Sequence, residues 1–214
     1  MGVSAARVRR FAGGIRPRRA AEIEYESRLT IIIFIGGAAR TGKSTLTRRL
    51  LAEDRIPYLS LDVLKMGLAR GVPEYAIEPE AGAPAVAGRM WPLVREMCAS
   101  LLRDRADYAF EGELLPASLA ALAAANPGRV RACFLGYATI APAAMLGRIR
   151  ANAGLPNDWS AECDDDTLLA IINREIAYSQ QVRAECATHA IPYFDTSDEY
   201  QTTLDRAAAY LRGS

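Results

Sequence analysis

The chain has 214 residues, 50% of them hydrophobic and 24% charged, with a formal net charge of +1. That length suits one α/β domain with a full core and is short for two. The near-neutral balance argues against a nucleic-acid or membrane surface as the main partner, and no stretch reaches the roughly 18 apolar residues of a membrane span. Cys98, Cys133, Cys163 and Cys186 are widely spread, without a C-x-x-C pair or a nearby histidine, which predicts reduced thiols and a cytoplasmic chain.

The first 20 residues hold Arg7, Arg9, Arg10, Arg16, Arg18 and Arg19 and no acidic residue. A secretory signal needs an apolar stretch of roughly 7 to 15 residues, which is missing here. Residues 1–28 therefore read as a basic, disordered extension or an overcalled start codon, and residues 29–214 as the folded domain. The run over residues 29–35 is continuously apolar rather than alternating, as in a strand covered on both faces. Further strands are predicted over residues 57–61, 108–110, 130–135 and 191–194. Helical spacing is predicted over residues 43–51, 63–69, 83–103, 116–125, 141–151, 167–189 and 200–211. In the helix over residues 83–103, Val86, Met90, Val94, Met97 and Leu101 form a core stripe. Alternation of strand and helix gives a three-layer α/β sandwich, a five-stranded parallel sheet with helices on both faces.

The turn after the first strand is the most specific stretch. Gly37-Ala38-Ala39-Arg40-Thr41-Gly42-Lys43-Ser44 fits G-x-x-x-x-G-K-[ST], with a strand before it and a helix after it. Glycines let successive N–H groups point at phosphate oxygens, and the starting helix adds its positive end. Lys43 is placed to bridge the β and γ phosphates of ATP or GTP, Ser44 to offer a hydroxyl to Mg²⁺, and Thr45 to face another phosphate. Arg40 either touches phosphate or faces solvent.

With this loop the chain resembles the P-loop kinase superfamily, and within it small kinases similar to chloramphenicol phosphotransferase, the zeta toxins and the adenylate-kinase-like and 2-phosphoglycerate kinase-like proteins. The resemblance covers roughly residues 29–211 and implies a P-loop NTPase fold of the nucleoside and shikimate kinase type. It implies an acceptor-binding segment at about residues 63–106 and a lid at about residues 148–166. In "PYLSLDVLKMGL", Asp62 matches the aspartate that takes the proton of an acceptor hydroxyl; its competing role is the N-cap of the next helix. In "YAFEGELL", Glu111 resembles the acid that holds a Mg²⁺-bound water, and Glu113 competes with it as an acceptor ligand or a solvated charge. In "AAMLGRIRANAGLPNDWS", Arg148 and Arg150 resemble lid arginines that swing over the transferring phosphate. They lie two apart on a helix, so one of them reaches it, with Arg148 the first choice. Thr196 and Ser197, after the fifth strand, match the backbone that reads the nucleotide base, while Asp195 and Asp198 could instead cap the last helix. His189 and the run Asp164 to Asp166 read as helix-end residues.

The implied activity is transfer of the γ-phosphate of ATP, with Mg²⁺, to a hydroxyl of a small metabolite or antibiotic, by a monomer or homodimer. A nucleotide monophosphate kinase, with Arg70 and Arg89 around an acceptor phosphate, is the alternative. An NTP-dependent switch or nucleic-acid-associated ATPase using the basic tail is the second.

Overall fold

The structure, a computed structural model, describes residues 30–153 and 159–213. The basic extension over residues 1–28 and part of the expected lid lie outside the described residues. Five strands run parallel: β1 (Ile32–Gly37), β2 (Tyr58–Ser60), β3 (Tyr108–Gly112), β4 (Val130–Gly136) and β5 (Tyr193–Asp195). Their spatial order is β2-β3-β1-β4-β5, so the strand that carries the phosphate loop is central. Among the described residues the α-helices are α1 (Lys43–Asp54), α2 (Leu61–Gly71), α3 (Ala83–Arg103), α4 (Pro116–Ala125), α5 (Pro142–Ala151), α6 (Asp165–Thr188) and α7 (Tyr200–Arg212). None is long and apolar enough to cross a membrane.

The unbroken apolar run of β1 follows from its position. Ile32 and Phe34 enter one core with Val86, Met90, Val94 and Cys98 of α3 and Val182 of α6. Ile33 and Ile35 enter another with Leu46 and Leu50 of α1 and Leu204 and Leu211 of α7. Successive strand side chains point to opposite faces, so a strand covered on both has no position left for a polar residue. Each such side chain, fully buried, contributes about 1.5–3 kcal/mol before entropy is counted. Cys98, Cys133 and Cys186 share these cores as free thiols, and burial pushes Cys98 up to about 11.

Strand ends differ from the sequence reading. β1 starts later and runs on through Gly36 and Gly37, because both still pair with neighbours: Gly36 with Gly112 and Phe134, Gly37 with Leu135. β3 extends through Glu111 and Gly112, and β5 shifts to Tyr193–Asp195, paired with Phe134 to Gly136 of β4. Ladder pairing overrides glycine's poor strand propensity here. In α3 the expected stripe holds: Val86, Met90 and Val94 are buried, with Met97 and Leu101 packed at the edge of the same core. Asp164 caps α6 by accepting the Thr167 N–H at 2.7 Å.

Candidate functional site

The end of β1 turns sharply because nothing larger than hydrogen fits there. Gly37 has φ +121°, and a Cβ on it would stand 1.8 Å from the Leu135 carbonyl oxygen. The chain then closes on itself: Thr41 Oγ1 donates to the Ala38 carbonyl at 2.9 Å, and Arg40 sits in the left-handed region at φ 61°. Gly42 precedes α1 with φ 97° and no side chain caps that helix. Its first N–H groups therefore have no capping partner from a side chain, the arrangement that suits a phosphate.

Lys43 folds back over the loop, with Nζ donating to the carbonyls of Gly37 at 3.0 Å and Ala38 at 2.6 Å. Burial lowers its pKa, against the raising influence of Glu111, Asp62, Glu175 and Glu113. Four carboxylates thus act electrostatically on one loop lysine. Glu111 is buried on β3, flanked in register by Ile35 of β1 and Ser60 of β2. Ser44 Oγ donates to its Oε1 at 3.4 Å. This pair of hard oxygen donors suits Mg²⁺, which takes one or two protein oxygens and completes its shell with phosphate and water. Among the described residues no group of three or more His, Cys, Asp or Glu could hold a metal unaided.

The start of α2 lies one strand further out, after β2. Gly112, with φ +145°, lets the end of β3 approach α2 so closely that a Cβ would lie 2.9 Å from Leu61 Cβ. That approach brings the start of α2 to Glu111. Ser60 is the N-cap of α2, with no side-chain cap bond, and Asp62 is in the first turn. The N-cap alternative for Asp62 therefore gives way. Its side chain is 61% exposed and pairs with Lys65 Nζ at 3.0 Å, and Lys65, only 13% exposed, also pairs with Glu113 at 3.3 Å. Burial opposes the Lys65 charge, yet Asp62 and Glu113 leave its pKa raised. Burial raises that of Glu113. Arg89 donates to the Tyr75 carbonyl at 2.8 Å and lies 5.5 Å from the centre of its ring.

The lid arginines are engaged elsewhere. Arg148 forks onto the carbonyls of Thr196 at 2.7 Å and Ser197 at 2.6 Å. Arg150 binds Asp165 and the carbonyls of Ser160 and Cys163. Arg40 donates to Ser160 Oγ at 2.7 Å, so the loop touches the segment after α5. The N–H groups of Thr196 and Ser197 are spent on Gly136 O and Asp195 Oδ1. The expectation that this backbone reads a base edge thus meets donors already used. Neither Asp195 nor Asp198 caps α7, whose N-cap is Glu199. Thr45 is exposed on the first turn of α1. A cavity of about 470 Å³ beside β5, lined by Thr139, Arg183, Asp195, Asp198 and Arg206, lies at the opposite sheet edge from Asp62.

Two groups of this site fall outside the sequence reading. Lys65 carries a legible sign, as one of two lysines in a chain with 24 arginines, three residues after Asp62. Glu175, whose Oε2 accepts the Ala39 N–H at 2.9 Å, carries none, because only the packing of α6 on the loop brings it there.

No family model matches the chain, and no curated protein does. Solved structures do. A candidate kinase from Chloroflexus aurantiacus has TM-score 0.52 and 16% identity, covering 87% of this chain and 98% of that one. A sugar kinase from Janibacter sp. has TM-score 0.50 and 15% identity, covering 86% and 95%. An uncharacterized protein from Eubacterium ventriosum has TM-score 0.50 and 16% identity, covering 86% and 99%. At such identities the likeness is one of fold. The chain has the α/β architecture of these proteins, a five-stranded all-parallel sheet with helices on both faces.

Proposed function

We propose that the protein is a phosphotransferase that moves the γ-phosphate of ATP or GTP to a hydroxyl of a small molecule. One observation carries the reading: Asp62, exposed on the first turn of α2, follows Ser60, the register partner of Glu111, whose Oε1 accepts Ser44 of the phosphate loop. A phosphate loop alone supports binding or hydrolysis. A carboxylate beside it, open to solvent on the acceptor side, supports transfer to an alcohol, which must lose a proton as it attacks.

In this reading the amides of residues 37–45 hold the phosphates and the Lys43 ammonium leaves the Gly37 and Ala38 carbonyls for the β and γ oxygens. Ser44 and Glu111 would hold Mg²⁺, which neutralises phosphate charge when bound. Asp62 takes the hydroxyl proton, and Lys65 orients that carboxylate. Arg148 or Arg150 serves the transition state only after giving up its present partners. The segment of residues 63–106, with Tyr75 and Arg89, faces the acceptor. The nucleotide monophosphate alternative asks Arg89 likewise to turn from the Tyr75 carbonyl toward an acceptor phosphate.

The test is a panel of sugars, polyol acids, nucleosides and hydroxylated antibiotics incubated with the protein and MgATP, read by mass spectrometry. A gain of one phosphoryl group on a compound, with matching ADP, is the expected result. ATP hydrolysis at a rate independent of every compound leaves the switch or ATPase reading standing instead.

A further inference from the structure

The Ala38–Ala39 peptide is gripped at both ends. Its carbonyl accepts Lys43 Nζ at 2.6 Å and Thr41 Oγ1 at 2.9 Å, and its N–H donates to Glu175 Oε2 at 2.9 Å. Glu175 reaches the loop from α6 across 136 residues of sequence. Leu168 and Ile172 of that helix pack with Ala38, which fixes the helix against the loop and leaves Glu175 one turn beyond Ile172. The Glu175 side chain is 15% exposed, and its neighbour Arg174, 71% exposed, approaches Oε1 only to 3.5 Å. The charge is therefore mostly shielded from water and weakly compensated from outside, while it acts on Lys43.

A loop of this kind uses its N–H groups to hold phosphate oxygens, and its lysine serves the β and γ phosphates. Lys43, which serves the β and γ phosphates, rests on this peptide, so the Ala39 N–H lies at the lysine's end of the loop. A γ-phosphate arriving there meets a donor already taken and a fixed negative charge. A diphosphate, which ends one group earlier, does not need that position. We propose that Glu175 is a resident anion at the γ-phosphate end of the loop, displaced from the Ala39 N–H when a triphosphate binds and restored when a diphosphate remains. The carboxylate thereby sets the ratio of triphosphate to diphosphate affinity. This rests on the nucleotide-binding part of the reading above.

The test compares the full-length wild type with Glu175→Gln, which keeps an acceptor for Ala39 but removes the charge. Dissociation constants for MgATP and MgADP are measured by titration calorimetry, with thermal melting as the check on folding. The expected result is MgATP tightened about tenfold and MgADP changed by less than about twofold. A carboxylate that merely ties α6 to the loop would, on substitution, weaken both nucleotides alike. An unchanged or lowered ATP-to-ADP preference overturns the proposal. Should Glu175→Gln melt far below the wild type, Glu175→Asp carries the same test, since it draws the charge back by one methylene. The preference must then still rise, and an unchanged one overturns it. A wild type that binds neither nucleotide overturns the phosphate-loop reading itself, whereas binding by the wild type with no change in the variants sinks the role of Glu175 alone.

Discussion

The phosphate loop and the start of α2, the two sides of the proposed site, are built in opposite ways. On the phosphate side the groups are main-chain or packed: Gly37 is pinned by the Leu135 carbonyl, Thr41 and Glu111 are buried, and Lys43 is bonded to the loop's own carbonyls. On the proposed acceptor side an exposed carboxylate, Asp62, stands on the first turn of a helix, steadied by Lys65. The first side spreads its grip over many amides, so losing one contact leaves others. In the proposed transfer the second concentrates its chemistry in one group, so exchanging one oxygen for nitrogen can remove it.

The contrast predicts the order of damage. Asp62→Asn keeps the shape and removes the proposed base, so kcat for a hydroxyl acceptor should fall roughly 10²–10⁴-fold while the KM for ATP stays close to that of the wild type. An activity retained within a few-fold would mean that the acceptor arrives already ionised, as a phosphate does. Lys43→Ala should cost roughly 10²–10³-fold and raise the KM for ATP as well, since the lysine meets the nucleotide before and during transfer. Removing Mg²⁺ with a chelator should weaken ATP binding about tenfold or more. Four carboxylates around Lys43 otherwise confront a bare polyphosphate. Equal affinity with and without the metal would show that Ser44 and Glu111 do not hold it.

The phosphate side was also the more legible in sequence, for the same reason. Its geometry is local: the eight residues from Gly37 to Ser44 carry their own turn, and the apolar run before them announces a central strand. The sheet and every helix it needs followed from periodicity, with errors where glycines at strand ends stay in the ladder, as at Gly36 and Gly112. What escaped depends on contacts between distant segments. Glu175 meets Ala39 only because the buried face of α6 packs on Ala38. The bonds that commit Arg148 to Thr196 and Ser197 join α5 to the end of β5, and no spacing along the chain encodes them. Lys65 was readable in principle, since its separation from Asp62 is a helical one.

The hinge between the two sides is Gly112. Gly112→Ala puts a Cβ 2.9 Å from Leu61 Cβ at a backbone angle that side chains avoid, at a cost of about 1–3 kcal/mol. Melting should fall by several degrees, and kcat should drop with it as the start of α2 is pushed away from Glu111. Gly67→Ala, in the middle of α2 with open space around it, is the matched control. Alanine is the better helix former, so that variant should melt at or slightly above the wild-type temperature. A Gly112→Ala protein as stable and as active as the Gly67→Ala protein would show that the close approach of β3 to α2 does not position the acceptor side.

The smallest effect expected is a gain. Burial raises the pKa of Glu113 above its ordinary value despite the Lys65 ammonium beside it, so the folded protein holds that proton more tightly than the unfolded chain does. The sign follows from linkage: a raised carboxyl pKa means full stability below the unfolded value and a loss as pH rises through the folded one. Above the ordinary glutamate range Glu113 therefore costs stability, and Glu113→Gln should melt slightly above the wild type at neutral pH. The difference should close as pH falls below the ordinary glutamate range, where the wild-type carboxyl is already neutral in both states. A Glu113→Gln protein less stable at neutral pH would mean that the ion pair with Lys65 outweighs burial. The acceptor side would then be held by charge rather than merely steadied by it, and it would resemble the phosphate side more than its exposure suggests.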